Sequence, residues 1–195
     1  MPPLLLASTS PYRRELLARL RLPFETARPE VDETPRADED PTALVARLAH
    51  AKAIAIARQR RGAWVIGSDQ VAQFEGRALG KPGDRAHAIA QLSSMSGRAV
   101  QFRTGVCVLR MDADGAFHAH EALDTTVVRF RALADEAIAR YLDAEQPFDC
   151  AGSFKSEGLG IALFDAIQTD DPTALVGLPL IATARLLRAA GFQLP

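Results

Sequence analysis

Two arginines, Arg13 and Arg14, stand in the opening turn of the helix that follows the apolar strand of "LLLASTSPYRRELLARL", residues 4–20. The first helical turn exposes unpaired N–H groups at the positive pole of the dipole, so cationic side chains there are mildly destabilising. A bound anion reverses that sign. In "ASTSPYRR", Ser10 is a good N-cap residue and Pro11 a good first helical residue. Backbone N–H groups, hydroxyls and two guanidiniums thus converge where a strand enters a helix, a set that suits phosphate. For an isolated pair, solvated arginines bridged to Glu15 are the plainer reading. Lys52 is a second misplaced cation, because it shares the 3.6-residue stripe of Leu44, Val45, Leu48, Ala55 and Ile56. Either its stem snorkels past that face, or its ammonium points inward at a buried carboxylate or a phosphate. Lys81, in "LGKPG", adds a cation beside a glycine turn. "GRALGKP" is not a P-loop, since its glycine spacing is one residue short and Pro82 stands where Ser or Thr would hold magnesium.

The acids complete the chemistry. Asp69 ends the apolar run "WVIGSD", which places its carboxylate at the carboxyl end of a sheet strand, where α/β folds bind ligands, and makes it the best base candidate. Asp32 and Glu33, in "EVDETPR", either supply a metal ligand or form a solvated acidic loop. The four histidines give no coordination pattern; His118 and His120 share one strand face but have no third ligand nearby in sequence. Cys107 and Cys150 lie far apart without a CxxC pair, and are read as buried thiols in a reducing compartment.

The elements that must position these groups alternate. A strand at 4–7 leads to a helix at 11–20, an extended stretch at 22–28 and an acidic, proline-punctuated loop at 30–41. Asp40 caps and Pro41 opens a helix to about residue 60. A strand at 63–69, a hairpin through "FEGRALGKP" and a helix from Asp84 to Met95 follow. Two long β-runs flank the turn "DADG"; then come a helix near 135–144, a glycine-punctuated loop at 151–160 and a closing helix ended by Gly191. Hairpins interrupting the crossovers predict a mixed sheet. A length of 195 residues and 48% hydrophobic content suit one domain with a sizeable core. With 23 basic against 24 acidic residues no bulk field favours nucleic acid or an anionic membrane, so any anion must be bound locally. A short apolar N-terminus and the lack of a membrane-length segment predict a cytoplasmic protein.

"LASTSPYRREL", "EVDETPR", the Lys52 helix, "IGSDQV", "GKP", "AGSFKSEGLG" and "LVGLPL" occur in the order found in the Maf nucleotide pyrophosphatases, which this chain resembles along its whole length. It is most similar to the branch that hydrolyses 7-methyl-GTP: Tyr12 stands where the dTTP/UTP branch usually has arginine, and "SDQ" and "FKSEG" replace "ADT" and "xIQG". The resemblance implies an α/β fold with a mixed twisted sheet and flanking helices. It implies two lobes around a central nucleotide cleft, related to inosine triphosphatase (Maf/Ham1 type), in one domain over 1–195. It assigns phosphate binding to Ser8, Arg13, Lys52 and Lys81, and a divalent cation, Mg2+ or Mn2+, to Glu33 and Asp69. Asp69 is the catalytic residue, as base, metal ligand or both. Tyr12, Gln70 and Glu157 are the specificity candidates. A Glu157 carboxylate can accept from guanine N1–H and N2–H, a Tyr12 ring attracts the cationic 7-methylguanine, and Gln70 can add a hydrogen bond to base or sugar. The implied reaction converts 7-methyl-GTP to 7-methyl-GMP and pyrophosphate, a house-cleaning step with a link to division arrest left open. The alternatives are a dTTP/UTP/CTP pyrophosphatase of the other branch and a nucleotide-binding regulator of septum formation. The expected partner is a small-molecule nucleotide, without nucleic acid or membrane; a homodimer is left open.

Overall fold

All four residues of strand β1, Leu4–Ala7, are buried, so this strand has no solvent face. In the computed structural model, which describes residues 2–195, the order is β1, α1 (Pro11–Ala18), β2 (Glu25–Ala27), α2 (Pro41–Ala57), β3 (Trp64–Phe74), β4 (Arg77–Leu79), α3 (Arg85–Met95), β5 (Ala99–Met111), β6 (Phe117–Phe130), α4 (Asp135–Glu145), β7 (Phe164–Gln168) and α5 (Leu180–Ala189). Seven strands form one mixed sheet in the order β2-β1-β3-β5-β6-β7, with β4 hydrogen-bonded to β3. β1 is parallel to both β2 and β3, whereas β3–β4 and β6–β7 are antiparallel. The expected mixed α/β sheet with flanking helices is therefore what the chain forms. Capping follows the sequence: Ser10 Oγ accepts from Arg13 N, Asp40 from Thr42 N and Ala43 N, and Asp84 from His87 N, with prolines opening α1 and α2.

The chain divides into two compact units. The first takes in residues up to Gln70, Thr104–Asp124 and Asp171–Pro195. Its strands sort side chains by the two-residue period into two apolar layers. Leu4, Leu6, Trp64, Ile66, Val106 and Val108 join Leu16 and Leu17 of α1 and Leu186 and Leu187 of α5. Leu5, Ala7, Val65, Cys107 and Leu109 join Ala49, Ala53 and Ile56 of α2. The second unit takes in Val71–Arg103 and Thr125–Asp170. Its centre holds Phe102, Phe130, Phe154 and Phe164 packed edge to face, with Phe154 and Phe164 centroids 4.8 Å apart.

Three readings need correction. β3 does not end at Asp69 but runs on to Phe74, because Val71, Ala72 and Phe74 continue the buried pattern past the polar pair Asp69 and Gln70. β7 stands where the sequence suggests no element; it is a short strand, paired among the described residues with β6, and its half-exposed residues carry no apolar run. Cys107 is buried as expected, but Cys150 is only half-buried, and both are free.

Candidate active site

Asp69 lies inside β3, yet it still sits beyond the carboxyl end of the parallel pair. The β1–β3 register matches Leu6 with Ile66, and β1 stops at Ala7, so Asp69 extends past its neighbour strand. By alternation Asp69 shares the face of Val65 and Gly67, the face that α2 covers. Two glycines let α2 come close. A Cβ on Gly67 would stand 2.1 Å from the Ala49 carbonyl oxygen, and one on Gly105 of β5 would stand 2.6 Å from that of Val45. The inward stripe of α2 therefore reaches the sheet, and Lys52 Nζ donates to Asp69 Oδ1 at 2.7 Å. Of the two sequence readings of Lys52, the inward ammonium is the one the fold realises: Lys52 and Asp69 are 6% and 8% exposed.

Glu33 meets the same ammonium from the acidic loop, with Oε1 2.9 Å from Lys52 Nζ. Its neighbour Asp32 turns back instead and accepts from Thr34 N at 2.9 Å. Arg13 completes the cluster. Its Nε donates to the Gly177 carbonyl at 2.8 Å, while Arg14 is exposed on the helix surface. Burial lowers the Arg13 guanidinium's hold on its proton, and the carboxylates of Asp69 and Glu33 act in the opposite direction. Ser8 is buried just after β1, and its Oγ accepts from Ser10 N at 3.1 Å. Burial raises the Asp69 pKa above its ordinary value; Lys52 and Arg13 pull it down without cancelling that effect, and Glu33 adds to it.

The loop that receives Arg13 is held by Asp171 and Ser68, which sequence reasoning did not single out, and by Gln70, which it did. Asp171 is 3% exposed; its Oδ2 accepts from Ile181 N at the start of α5, and its Oδ1 from Thr173 N. Ser68 Oγ donates to the carbonyls of Gly105 and Gly177. Gln70 Nε2 donates to Thr104 Oγ1 and to the carbonyls of Ala174 and Leu175, so its amide protons are shared among protein acceptors. The signal for these was an acid preceding a helix in "TDDPTALVGLPL" and polar residues in an otherwise buried strand. Tyr12 is half-buried on α1.

Lys81 and Glu157 belong to the second unit. Lys81 is exposed in a loop fixed on either side: Gln91 Nε2 donates to the Gly80 carbonyl, and Gly83 N to that of Phe148. Glu157 is exposed at the tip of "FKSEGLG". That segment folds tightly on itself, for a Cβ on Gly160 would stand 2.3 Å from the Lys155 carbonyl oxygen. Lys155 N donates to Tyr141 Oη and Leu159 N to Glu145 Oε2, which anchor it to α4.

The first unit thus gathers Arg13, Glu33, Lys52 and Asp69: two cations and two carboxylates, one of each largely withdrawn from water. Such a set can bind a polyphosphate and move a proton. Glu33 and Asp69 direct carboxylate oxygens at one point, presently the Lys52 ammonium, and two hard oxygen donors aimed at one cation position fit a hard divalent ion. His50 Nδ1 lies 2.6 Å from Glu121 Oε1 and 4.0 Å from Cys107 Sγ, a grouping from three separate elements that no sequence spacing reveals. His118 and His120, the pair with suggestive spacing, instead hydrogen-bond Asp112 and stack on Trp64.

The Maf-like protein family model matches residues 3–190. A protein of Xanthomonas oryzae pv. oryzae named 7-methyl-GTP pyrophosphatase is 63% identical over the full length of both chains. One of Albidiferax ferrireducens with the same name is 57% identical over 97% of this chain and 94% of its own. Among solved structures, the Staphylococcus aureus Ham1 protein aligns over 68% of this chain and 72% of its own, with TM-score 0.41 and 14% identity. With the family model matching nearly all of its length and relatives at such identity, the chain belongs to the Maf-like protein family.

Proposed function

We propose that this chain hydrolyses 7-methyl-GTP to 7-methyl-GMP and pyrophosphate, in keeping with the names of its relatives. The observation that carries the reading is the buried Lys52 ammonium gripped by Asp69 and Glu33, with Arg13 beside them, past the end of β1. Arg13 and Lys52 bind the triphosphate and spread the charge that develops as the α–β anhydride breaks. Water adds to phosphorus, pyrophosphate leaves with the bridging oxygen, and the water's proton passes to the Asp69 carboxylate. Burial makes that carboxylate a stronger base than an exposed one. Glu33 and Asp69 would hold Mg2+ or Mn2+, which when bound supplies Lewis-acid charge on the phosphate oxygens. Ser8 and Lys81 join the phosphate set on the family motifs "LASTS" and "GKP".

Specificity rests on the Tyr12 and "FKSEG" signatures. Glu157 accepts from guanine N1–H and N2–H, which pyrimidines lack in that arrangement. Tyr12 attracts the cationic 7-methylated ring by about 0.5–2 kcal/mol, an increment that GTP forgoes. Gln70 acts by fixing the Ala174–Leu175 backbone. Free thiols suit a cytoplasmic enzyme; among the described residues no helix is long and apolar enough to cross a membrane.

The test is a substrate panel. Purified protein is given 7-methyl-GTP, GTP, dTTP, UTP and CTP with Mg2+ or Mn2+, and both pyrophosphate and orthophosphate are measured. The expected result is stoichiometric pyrophosphate and monophosphate, with the highest kcat/KM on 7-methyl-GTP. Best turnover on dTTP would move the chain to the other branch. Binding without turnover on any nucleotide would favour the regulator.

A further inference from the structure

A second group of donors lies in the first unit, apart from the charged cluster. His50 comes from α2, Cys107 from β5 and Glu121 from β6, and their ligand atoms all lie within 4.8 Å of one another. Cys107 is 1% exposed in the layer beneath α2, His50 is half-buried and Glu121 is exposed. A soft donor therefore sits at the bottom, an imidazole at the wall and a carboxylate at the solvent side. We propose that His50 Nδ1, Cys107 Sγ and a Glu121 carboxylate oxygen bind a borderline divalent metal ion, zinc foremost, with water as the fourth ligand.

The donor set decides the class of ion. Thiolate with imidazole selects zinc and its neighbours such as cobalt, whereas Mg2+ takes oxygen donors and suits the Glu33–Asp69 pair. Zinc bond lengths of about 2.3 Å to sulfur and 2.0–2.2 Å to nitrogen and oxygen imply, at tetrahedral angles, an S···N separation of about 3.6 Å and an N···O separation of about 3.3 Å. From the observed 4.0 Å and 2.6 Å those separations are reached by shifts of under 1 Å, with the exposed Glu121 the freest to move. On binding, the Cys107 S–H bond breaks, a sulfur–metal bond forms and one proton leaves to water; a neutral His50 gives up the Nδ1 proton that it shares with Glu121, takes one on Nε2 and offers Nδ1 to the metal. Burial and the Glu121 charge hold the thiol's pKa far above its ordinary value, so the protonated thiol persists until a cation offsets both negative charges. Loading would tie α2 to the β5–β6 hairpin.

Cobalt is the probe, because a thiolate ligand to Co2+ gives an intense near-ultraviolet charge-transfer band and a tetrahedral site gives strong visible bands. The full-length protein titrated with Co2+ should show both, saturating at one ion per chain, and Zn2+ should bleach them. Zinc at a hundredfold its dissociation constant should raise the melting temperature by about 5–10 °C. Cys107→Ser should abolish the charge-transfer band and the thermal shift, His50→Ala should weaken binding by about tenfold or more, and Cys150→Ser should change neither. If Cys107→Ser does not fold, His50→Ala on the helix surface makes the same comparison. A charge-transfer band retained in Cys107→Ser, a band lost in Cys150→Ser, undiminished affinity in His50→Ala, or an octahedral cobalt spectrum without a thiolate band would overturn the proposal.

Discussion

Replacing Lys52 by methionine keeps most of the stem's volume and strands the Asp69 carboxylate without its nearest cation. The pair is 2.7 Å apart, and both residues are more than nine-tenths buried. Removing one partner of such a pair costs about 3–5 kcal/mol, because the other charge is left desolvated. The Glu33 contact adds little, since that side chain is 59% exposed and its charge is screened. For a chain of this length each kcal/mol moves the melting temperature by about 2–4 °C, so Lys52→Met should melt about 6–20 °C lower at pH 7. The loss must also depend on pH. The Asp69 carboxyl is already raised in the folded protein by burial, and losing Lys52 raises it further. A carboxyl with a raised folded pKa binds more protons folded than unfolded. Its contribution is complete below the unfolded value of about 3.9 and is lost as pH rises through the folded pKa. In the variant that loss continues to higher pH, so the gap to wild type should widen from pH 4 towards neutrality, by up to about 1.4 kcal/mol per pH unit. Urea unfolding of wild type, Lys52→Met, Asp69→Asn and the double variant at pH 5, 6 and 7 measures this. The double variant, with no stranded charge, should be more stable than Lys52→Met. A Lys52→Met protein within about 1 kcal/mol of wild type at pH 7, a gap independent of pH, or a double variant no better than the single one would refute the reasoning.

Other outcomes follow from the same geometry. Asp69→Asn should still fold, with a lower melting temperature because the buried Lys52 ammonium keeps only the exposed Glu33 carboxylate, while pyrophosphate release falls about 10²- to 10⁴-fold; wild-type turnover by the folded variant would remove Asp69 from the chemistry. Gly67→Ala places a methyl 2.1 Å from the Ala49 carbonyl oxygen and should cost about 1–3 kcal/mol in urea while also lowering activity, because α2 carries Lys52; full stability and activity would mean that the helix yields there freely. Arg13→Lys keeps the charge but loses the bond from Nε to Gly177, so a higher KM for the triphosphate together with a modest stability loss is expected. A stability loss with unchanged KM would make Arg13 a structural residue alone.

The two residues at the centre of the site were legible because each broke a pattern that the fold depends on. Lys52 interrupts an apolar helical stripe, and Asp69 follows an apolar run that must be buried on both faces. Helical and strand periods then place each on a known face, though not which helix meets which strand. Gly67 and Gly105 decide that contact, and a glycine within a strand is a weak signal until the helix over it is known. The end of β3 was misjudged because Asp69 and Gln70 look like a terminus; inside the fold one is paired with Lys52 and the other with Thr104 and the 174–175 carbonyls. The His50, Cys107 and Glu121 group was hidden because its members are separated by 57 and 71 residues from His50 and meet only through the sheet.

The arginine at the wrong end of a helix now has a physical account that does not depend on a ligand being present. Arg13 reaches the Gly177 carbonyl and lies within the fields of Asp69 and Glu33, so its unfavourable position against the α1 dipole is offset inside the protein. Those same carboxylates are the groups that hold Lys52. The resting cluster is thus a closed set in which Arg13 is satisfied by a backbone carbonyl and Lys52 by the two carboxylates. On the function proposed above, an arriving triphosphate would bring new acceptors for Arg13 and Lys52 and so loosen the claim of Lys52 on Asp69. As that claim weakens, Asp69 is left with its burial and the nearby negative charge of Glu33, both of which raise its affinity for a proton. Under that proposal, substrate binding by the cations and activation of the base are coupled through one side chain, Lys52, because it is the cation that both carboxylates hold at rest.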